Sequence, residues 1–125
     1  MDLIPFAQYL QTLGLGIQGK TIFVDQMPME CVGGILLRSP LEGAKIDYEL
    51  PGYYKARIDM TVRAGGYDAG RAAAALVSTA LTIVEKQVGN IYVKYLRPNT
   101  LPIVYQLSKG NLLEFAVEFS AVFII

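Results

Sequence analysis

The chain has 125 residues, enough for one domain with a real hydrophobic core and little room for a substrate pocket beside a cofactor site. Hydrophobic residues make up 53% and charged residues 18%, an apolar surplus over the roughly 45–50% of ordinary soluble domains that fits either surface covered by a partner or an unusually greasy core. Eleven basic and eleven acidic side chains cancel, and histidine is absent; this excludes a global field toward nucleic acid or anionic lipid, the commonest metal ligand, and every Ser/His or Cys/His nucleophile arrangement.

From the N-terminus, Asp2 to Leu13 predicts a helix, with Asp2 as cap, Pro5 tolerated in the opening turn, Leu3, Phe6, Leu10 and Leu13 along one side, and Gly14 as its end. The stretch does not read as an export signal, because Asp2 stands where a positive region belongs and Gln8 and Gln11 interrupt the apolar run.

Residues 14–21 spell GLGIQGKT, which satisfies G-x-x-x-x-G-K-[ST] to the letter, and its first six residues also satisfy G-x-G-x-x-G. A phosphate loop works because a strand delivers the chain into the glycine curl and a helix starts at its end, aiming amides and dipole at the phosphates. Here the order is reversed: a helix precedes Gly14, and Thr21-Ile22-Phe23-Val24 is a strand pattern. Nucleotide binding is therefore refused, with Lys20 read as a solvated residue and Asp25 as too close to it to come from a separate sheet strand.

Two short strands follow, Thr21–Asp25 and Cys31–Arg38, separated by a turn around Met27-Pro28 and expected to pair. Gly33-Gly34 invites a bulge or a close backbone approach. Cys31 is the single cysteine, so no internal disulfide forms, and its apolar neighbours predict a buried packing role in a reduced compartment. Pro40, Gly43, Pro51 and Gly52 break residues 39–52 into a long hairpin-like loop, in which Ile46, Tyr48 and Leu50 alternate with Asp47 and Glu49 and leave room for a short strand. Glu42, Asp47 and Glu49 have no acid/base spacing and read as a solvated face.

From Tyr54 to Ala64 every even position is apolar, while the odd positions carry Lys55, Arg57, Asp59, Thr61 and Arg63, a period of two that means one buried and one charged face. After Gly65-Gly66, Asp68 reads as the cap of a long amphipathic helix with apolar residues at Ala69, Ala72, Ala73, Leu76, Val77, Ala80, Leu81 and Val84, closed by Gly89. Its uncharged run, Ala72 to Val84, falls short of the roughly 20 residues of a membrane span, so the chain reads as soluble. Three more strands are expected: Asn90–Leu96, Ile103–Leu107 and Leu113–Ile124, broken by Arg97-Pro98-Asn99 and Lys109-Gly110-Asn111. The last alternates again, with Leu113, Phe115, Val117, Phe119, Ala121 and Phe123 on one face and Glu114, Glu118 and Ser120 on the other. The expected fold is α+β over residues 1–125 as a single domain. A mostly antiparallel sheet of about five to six strands carries an N-terminal helix and one long amphipathic helix packed on it.

With these elements in order, the chain resembles the phage tail terminators, a family of small proteins some of which are catalogued as minor capsid proteins. The likeness rests on the opening helix ending in Gly14-Leu15-Gly16, on Ile22-Phe23-Val24 with Met27-Pro28, on the loop rich in Pro and Gly, and on the passage from Val62-Arg63-Ala64 to Tyr67-Asp68 and the alanine-rich helix. It covers Asp2 to about Val88, and the C-terminal third matches in outline.

The resemblance implies a structural virion protein with no enzymatic activity and no cofactor, made in the bacterial host cytoplasm. It would form a homo-oligomeric ring, typically hexameric, that caps the tail tube and meets the tail tube protein and a head-side neck protein. Direct sequence-specific nucleic acid binding and membrane contact are not expected. Lys55, Arg57, Asp59 and Arg63, with Glu114 and Glu118, are the candidate subunit-interface residues; their charges would pair either within one sheet or between subunits. Ile46, Asp47, Tyr48 and Glu49 are the candidate contact with the tube or the ring lumen, an ordinary solvated loop being the other reading. Another head–tail connector or completion protein shares this composition, and a small ligand-binding α+β oligomer is the alternative of a different class.

Overall fold

The computed structural model describes residues 3–27, 33–38, 45–46, 52–106 and 112–124. The expected cap at Asp2, the Pro28 side of the second turn, Cys31, most of the 39–52 loop and the 109–111 turn lie outside them. In chain order the elements are α1 (Ile4–Thr12), β1 (Ile22–Val24), β2 (Gly34–Arg38), β3 (Lys45–Ile46), β4 (Tyr53–Ala64), α2 (Tyr67–Leu81), β5 (Ile83–Val88), β6 (Ile91–Pro98), β7 (Ile103–Gln106) and β8 (Leu113–Ile124). The expected α+β class holds, with the strands in one sheet of order β1-β2-β4-β8-β6-β5, on which β3 pairs with β4 and β7 with β8.

The two long alternating strands form the middle of the sheet. β4 and β8 run antiparallel over their full length, from Tyr53 opposite Ile124 to Ala64 opposite Leu113. Because both keep strict alternation, Ile58, Met60 and Val62 share one face with Phe115, Val117, Phe119 and Phe123, all buried. Helix α2 packs across β4 and β8, and α1 against β1 and β5. α1 contributes Leu3, Phe6, Ala7 and Leu10, each at most 2% exposed. A buried Phe or Leu contributes roughly 1.5–3 kcal/mol relative to the same side chain in water, so Phe6 and the three β8 phenylalanines are a large share of what holds the layers together. Gly14 closes α1 as read, at φ +78 with its N–H donating to the Gln11 carbonyl at 2.9 Å. Leu13 leaves the expected apolar side and is 48% exposed. β1 and β2 do pair, but in parallel, Ile22 opposite Ile35; every other pairing between the described strands is antiparallel.

The long helix is shorter than the periodicity predicts. It ends at Leu81, and Ile83–Val88 is a strand instead. Thr82-Ile83-Val84 is a β-branched run, stiff in a helix and favoured in a sheet. Gly89, expected as a helix cap, sits at φ +59 as the first residue of the two-residue loop joining β5 to β6, with Val88 opposite Ile91. Asp68 is not the cap: that position is Gly66, in extended backbone, and Asp68 lies in the first turn, where its charge favours the helix dipole. The buried stripe is also rotated. Gly70, Ala74, Val77 and Leu81 face the sheet, whereas Ala69 and Ala72 are exposed, Leu76 is 58% exposed and Val84 is 72% exposed on β5.

Gly70 shows why the stripe turned. A Cβ there would sit 2.2 Å from a Phe115 ring carbon, so the absence of a side chain lets α2 lie directly on the aromatic core of β8.

Candidate assembly surfaces

The polar faces of β4 and β8 lie side by side on the side of the sheet away from the helices. Arg63 stands opposite Glu114, Arg57 opposite Ser120, and Asp59 opposite Glu118. The Arg63 Nε and Nη2 donate to one Glu114 carboxylate oxygen at 3.3 and 3.2 Å, with side chains only 11% and 22% exposed. Arg57 approaches Glu118 at 3.6 Å in a much more open setting, where an ion pair contributes little. Four of the six charged residues expected at an interface are thus coupled to one another within the sheet. A neighbour meeting this face at those four residues would meet charges already paired. Lys55, opposite Val122, and Asp59 are exposed on the same face. Of the loop candidates, Ile46 is 58% exposed on β3 opposite Tyr54, and Asp47, Tyr48 and Glu49 lie outside the described residues.

Glu118 is also the centre of a hydrogen-bonded clamp. It accepts from the Asn99 side-chain amide at 3.2 Å, its carbonyl accepts from the Asn99 N–H at 2.8 Å, and the Ser120 hydroxyl donates to the Asn99 Oδ1 at 2.9 Å. The clamp fixes the connection between β6 and β7, which Pro98 and Pro102 bracket. Two fixed φ angles and three hydrogen bonds hold a short segment in one shape. From it Leu101 projects 86% exposed, followed on β7 by Ile103 at 48% and Val104 at 40%. Sequence reasoning named no role for these residues, although an uncharged Leu between two prolines was visible.

On the other side of β4 and β8, the α1–β1 connection, the start of β2, the end of β4 and the middle of α2 enclose an open cleft of about 400 Å³. Leu15, Gly34, Ile35, Val62, Ala73, Leu76 and Val77 line it, with Arg63 at its edge. Part of its shape is set by Gly16, where a Cβ would meet the Thr21 hydroxyl at 2.6 Å and Ile22 at 2.9 Å.

The GLGIQGKT stretch is a closed turn between α1 and β1. The Ile17 N–H donates to the Thr21 hydroxyl at 2.7 Å, and the Thr21 and Ile22 N–H groups donate back to the Ile17 carbonyl at 2.9 and 3.0 Å. These amides serve the turn itself, and the element order is helix, loop, strand, as read. Elsewhere, β6 bulges against β8 between Val93 and Tyr95, and at that point Lys94 meets Glu85, which sits at φ +48, with their side chains 2.5 Å apart. The hydrogen bond from Lys94 and its charge hold the Glu85 carboxyl below its ordinary range, and the same contact raises Lys94. Lys86 donates to the Tyr9 hydroxyl at 3.1 Å, and Arg97 lies 4.5 Å from the centre of the Tyr95 ring.

Among the described residues no polar or charged side chain is buried, and no three His, Cys, Asp or Glu side chains gather as a metal site requires. No described helix is long and apolar enough to cross a membrane. The arrangement offers charged faces, a rigid apolar projection and an apolar cleft: the means of binding another protein surface.

Comparison with known proteins agrees with that character. A family model described as "Bacteriophage tail terminator protein" matches residues 9–124. No curated protein matches the chain. A solved structure titled "Virion of native gene transfer agent (GTA) particle" is similar with a TM-score of 0.66 at 19% identity, covering 94% of this chain and 90% of that one. At that identity the likeness speaks for the fold, an α+β layer shared over nearly the whole length.

Proposed function

The chain belongs to the bacteriophage tail terminator family, and we propose that it acts as a homo-oligomeric ring, hexameric as the family resemblance implies, that caps the finished tail tube and joins it to the head-side neck. The observation that carries the reading is the family match over residues 9–124, which also supports treating the chain as one α+β unit. The partners are other copies of the chain, the tail tube protein and a head-side neck protein; the site of action is the virion, after synthesis in the host cytoplasm. Neither catalysis nor a cofactor enters this role.

Physical features support it. A ring subunit needs two different surfaces that fit each other, because head-to-tail contacts close into rings whereas a self-complementary patch gives a dimer. Large apolar side chains stand exposed on separate parts of this molecule: Leu101, Ile103 and Val104 at β7, and Leu76 beside the cleft. Lys55, Arg57, Asp59 and Arg63 with Glu114 and Glu118 remain the candidate interface charges, setting orientation more than affinity. Ile46 and residues 47–49 remain the candidate contact with the tube or the lumen.

The test is solution mass by light scattering across a concentration series, with negative-stain images of the largest species. Closed rings of one size support the proposal. A chain that stays monomeric at every concentration and does not bind purified tail tubes would refute it.

A further inference from the structure

We infer that one end of the sheet face turned away from the helices is a sequence-independent site for single-stranded nucleic acid, built from tyrosines flanked by cations. Strand register places the residues. In one cross-strand row Tyr53, Ile124 and Tyr92 stand side by side. The next row holds Lys55, Val122 and Tyr95, with Lys45 of β3 opposite Lys55, and in the third Arg57 and Arg97 flank Ser120. Alternation turns these positions away from the buried phenylalanines of β8. Lys94, at the bulge of β6, is close enough to Tyr53 and Tyr92 for their hydroxyls to act on its charge, so it joins the same face. Three strands about 4.8 Å apart and rows about 7 Å apart make a patch of roughly 10 by 14 Å.

Charge and ring placement decide the occupant. The chain is neutral as a whole, but its charge on this face is uneven. Among the described residues the patch holds Lys45, Lys55, Arg57, Lys94 and Arg97, against Glu85 beside Lys94 and Glu118 at the border, 3.6 Å from Arg57. Beyond that border the signs are mixed, with Arg38 opposite Asp59 and Arg63 opposite Glu114. A local positive excess attracts a polyanion even where no global field exists. The tyrosines then select among polyanions. All three are half-buried, which holds each ring at the sheet surface with part of it in water, and Arg97 lies 4.5 Å from the Tyr95 ring centre, so cation and ring act at one place. An acidic peptide offers charge without flat bases, and a duplex keeps its base faces stacked inside. A single strand offers both, and an open sheet bearing aromatic side chains is a surface on which bases stack. One copy of the chain supplies every residue, so the site does not depend on ring formation. The inference reassigns Lys55 and Arg57 from the subunit contact to phosphates and leaves Asp59, Arg63, Glu114 and Glu118 to the ring.

The test is fluorescence anisotropy of a labelled oligothymidylate of about twelve nucleotides, titrated with the full chain at about 50 mM salt. The dissociation constant should lie in the micromolar range, and binding should weaken with salt at a logarithmic slope near −2 for about three phosphates contacted. Arg97→Glu, at an exposed position, should weaken binding roughly tenfold and leave the melting temperature near the parent's. Tyr95→Leu keeps an apolar side chain beside Val122 and should also cost roughly tenfold, the equivalent of one lost stack. Lys20→Glu makes the same change of charge in the α1–β1 turn and should leave the affinity close to the parent's. A duplex of the same length should bind more weakly. Absence of binding at about 50 mM salt, or equal losses in Lys20→Glu and Arg97→Glu, would overturn the site. Displacement of the oligonucleotide by polyglutamate of equal charge, with Tyr95→Leu binding as the parent does, would reduce the patch to a general anion surface and overturn the nucleic-acid assignment.

Discussion

Gly70→Ala tests the packing of α2 on β8. The new Cβ would lie 2.2 Å from one Phe115 ring carbon and 2.9 Å from two others. Phe115 is fully buried, so its ring has no space to step aside. Overpacking of a filled core costs about 1–3 kcal/mol, and a contact this short belongs at the upper end. Against it stands the gain from replacing a helical Gly with Ala, about 1 kcal/mol. The net loss is then about 2 kcal/mol, which for a domain of this length lowers the melting temperature by roughly 8 °C. Differential scanning calorimetry of the variant measures it directly. The double variant Gly70→Ala with Phe115→Leu should lose less than the sum of its singles, because the smaller side chain relieves the clash it shares with position 70. A melting temperature equal to or above the parent's would mean that α2 does not rest on Phe115, and the glycine explanation for the rotated stripe would fall.

Arg63→Ala removes the shielded partner of Glu114 and should lower stability by about 1–2 kcal/mol, whereas Arg57→Ala, at an open pair, should change it by less than about 0.5 kcal/mol; chemical denaturation separates the two, and equal effects would contradict the difference in burial. Glu85 titrates below an ordinary carboxylate because of Lys94, so its contribution is present above the unfolded carboxyl value and is lost as pH falls through the lowered folded value. Carbon-detected NMR titration should show that low midpoint, and Lys94→Met should return it to the ordinary range; an unmoved midpoint would refute the cause. Lys20→Ala should leave folding and assembly intact, and equilibrium dialysis should find no nucleotide bound to the parent; binding that this variant loses would restore the phosphate-loop reading.

The central sheet was readable because β4 and β8 keep an uninterrupted period of two, which a strand partly open to water must show. β5 was not, and the reason lies at one residue. Glu85 takes φ +48 beside Lys94, the residue at which β6 bulges against β8, and Ile83 and Val88 are both buried although they lie an odd number of positions apart, so the alternation is lost. Val84 then continues the helical spacing of Val77 and Leu81, and a terminal glycine serves a helix end and a hairpin turn equally well. The charged faces were legible as faces, but coupling Arg63 to Glu114 depends on strand register across 51 positions, which no local pattern encodes. The cleft is assembled from four separate stretches of chain and so leaves no sequence signature. Gly70, hidden in an alanine-rich run, gives no sign of the ring that approaches it.

The most direct test of tail termination is the length distribution of tubes polymerised from the tail tube protein with and without this chain, with the tube ends imaged by electron microscopy. A terminator stops growth, so added protein should shorten the tubes in proportion to its concentration and leave a ring at one end of each. Tubes of unchanged length with bare ends would contradict the proposed role.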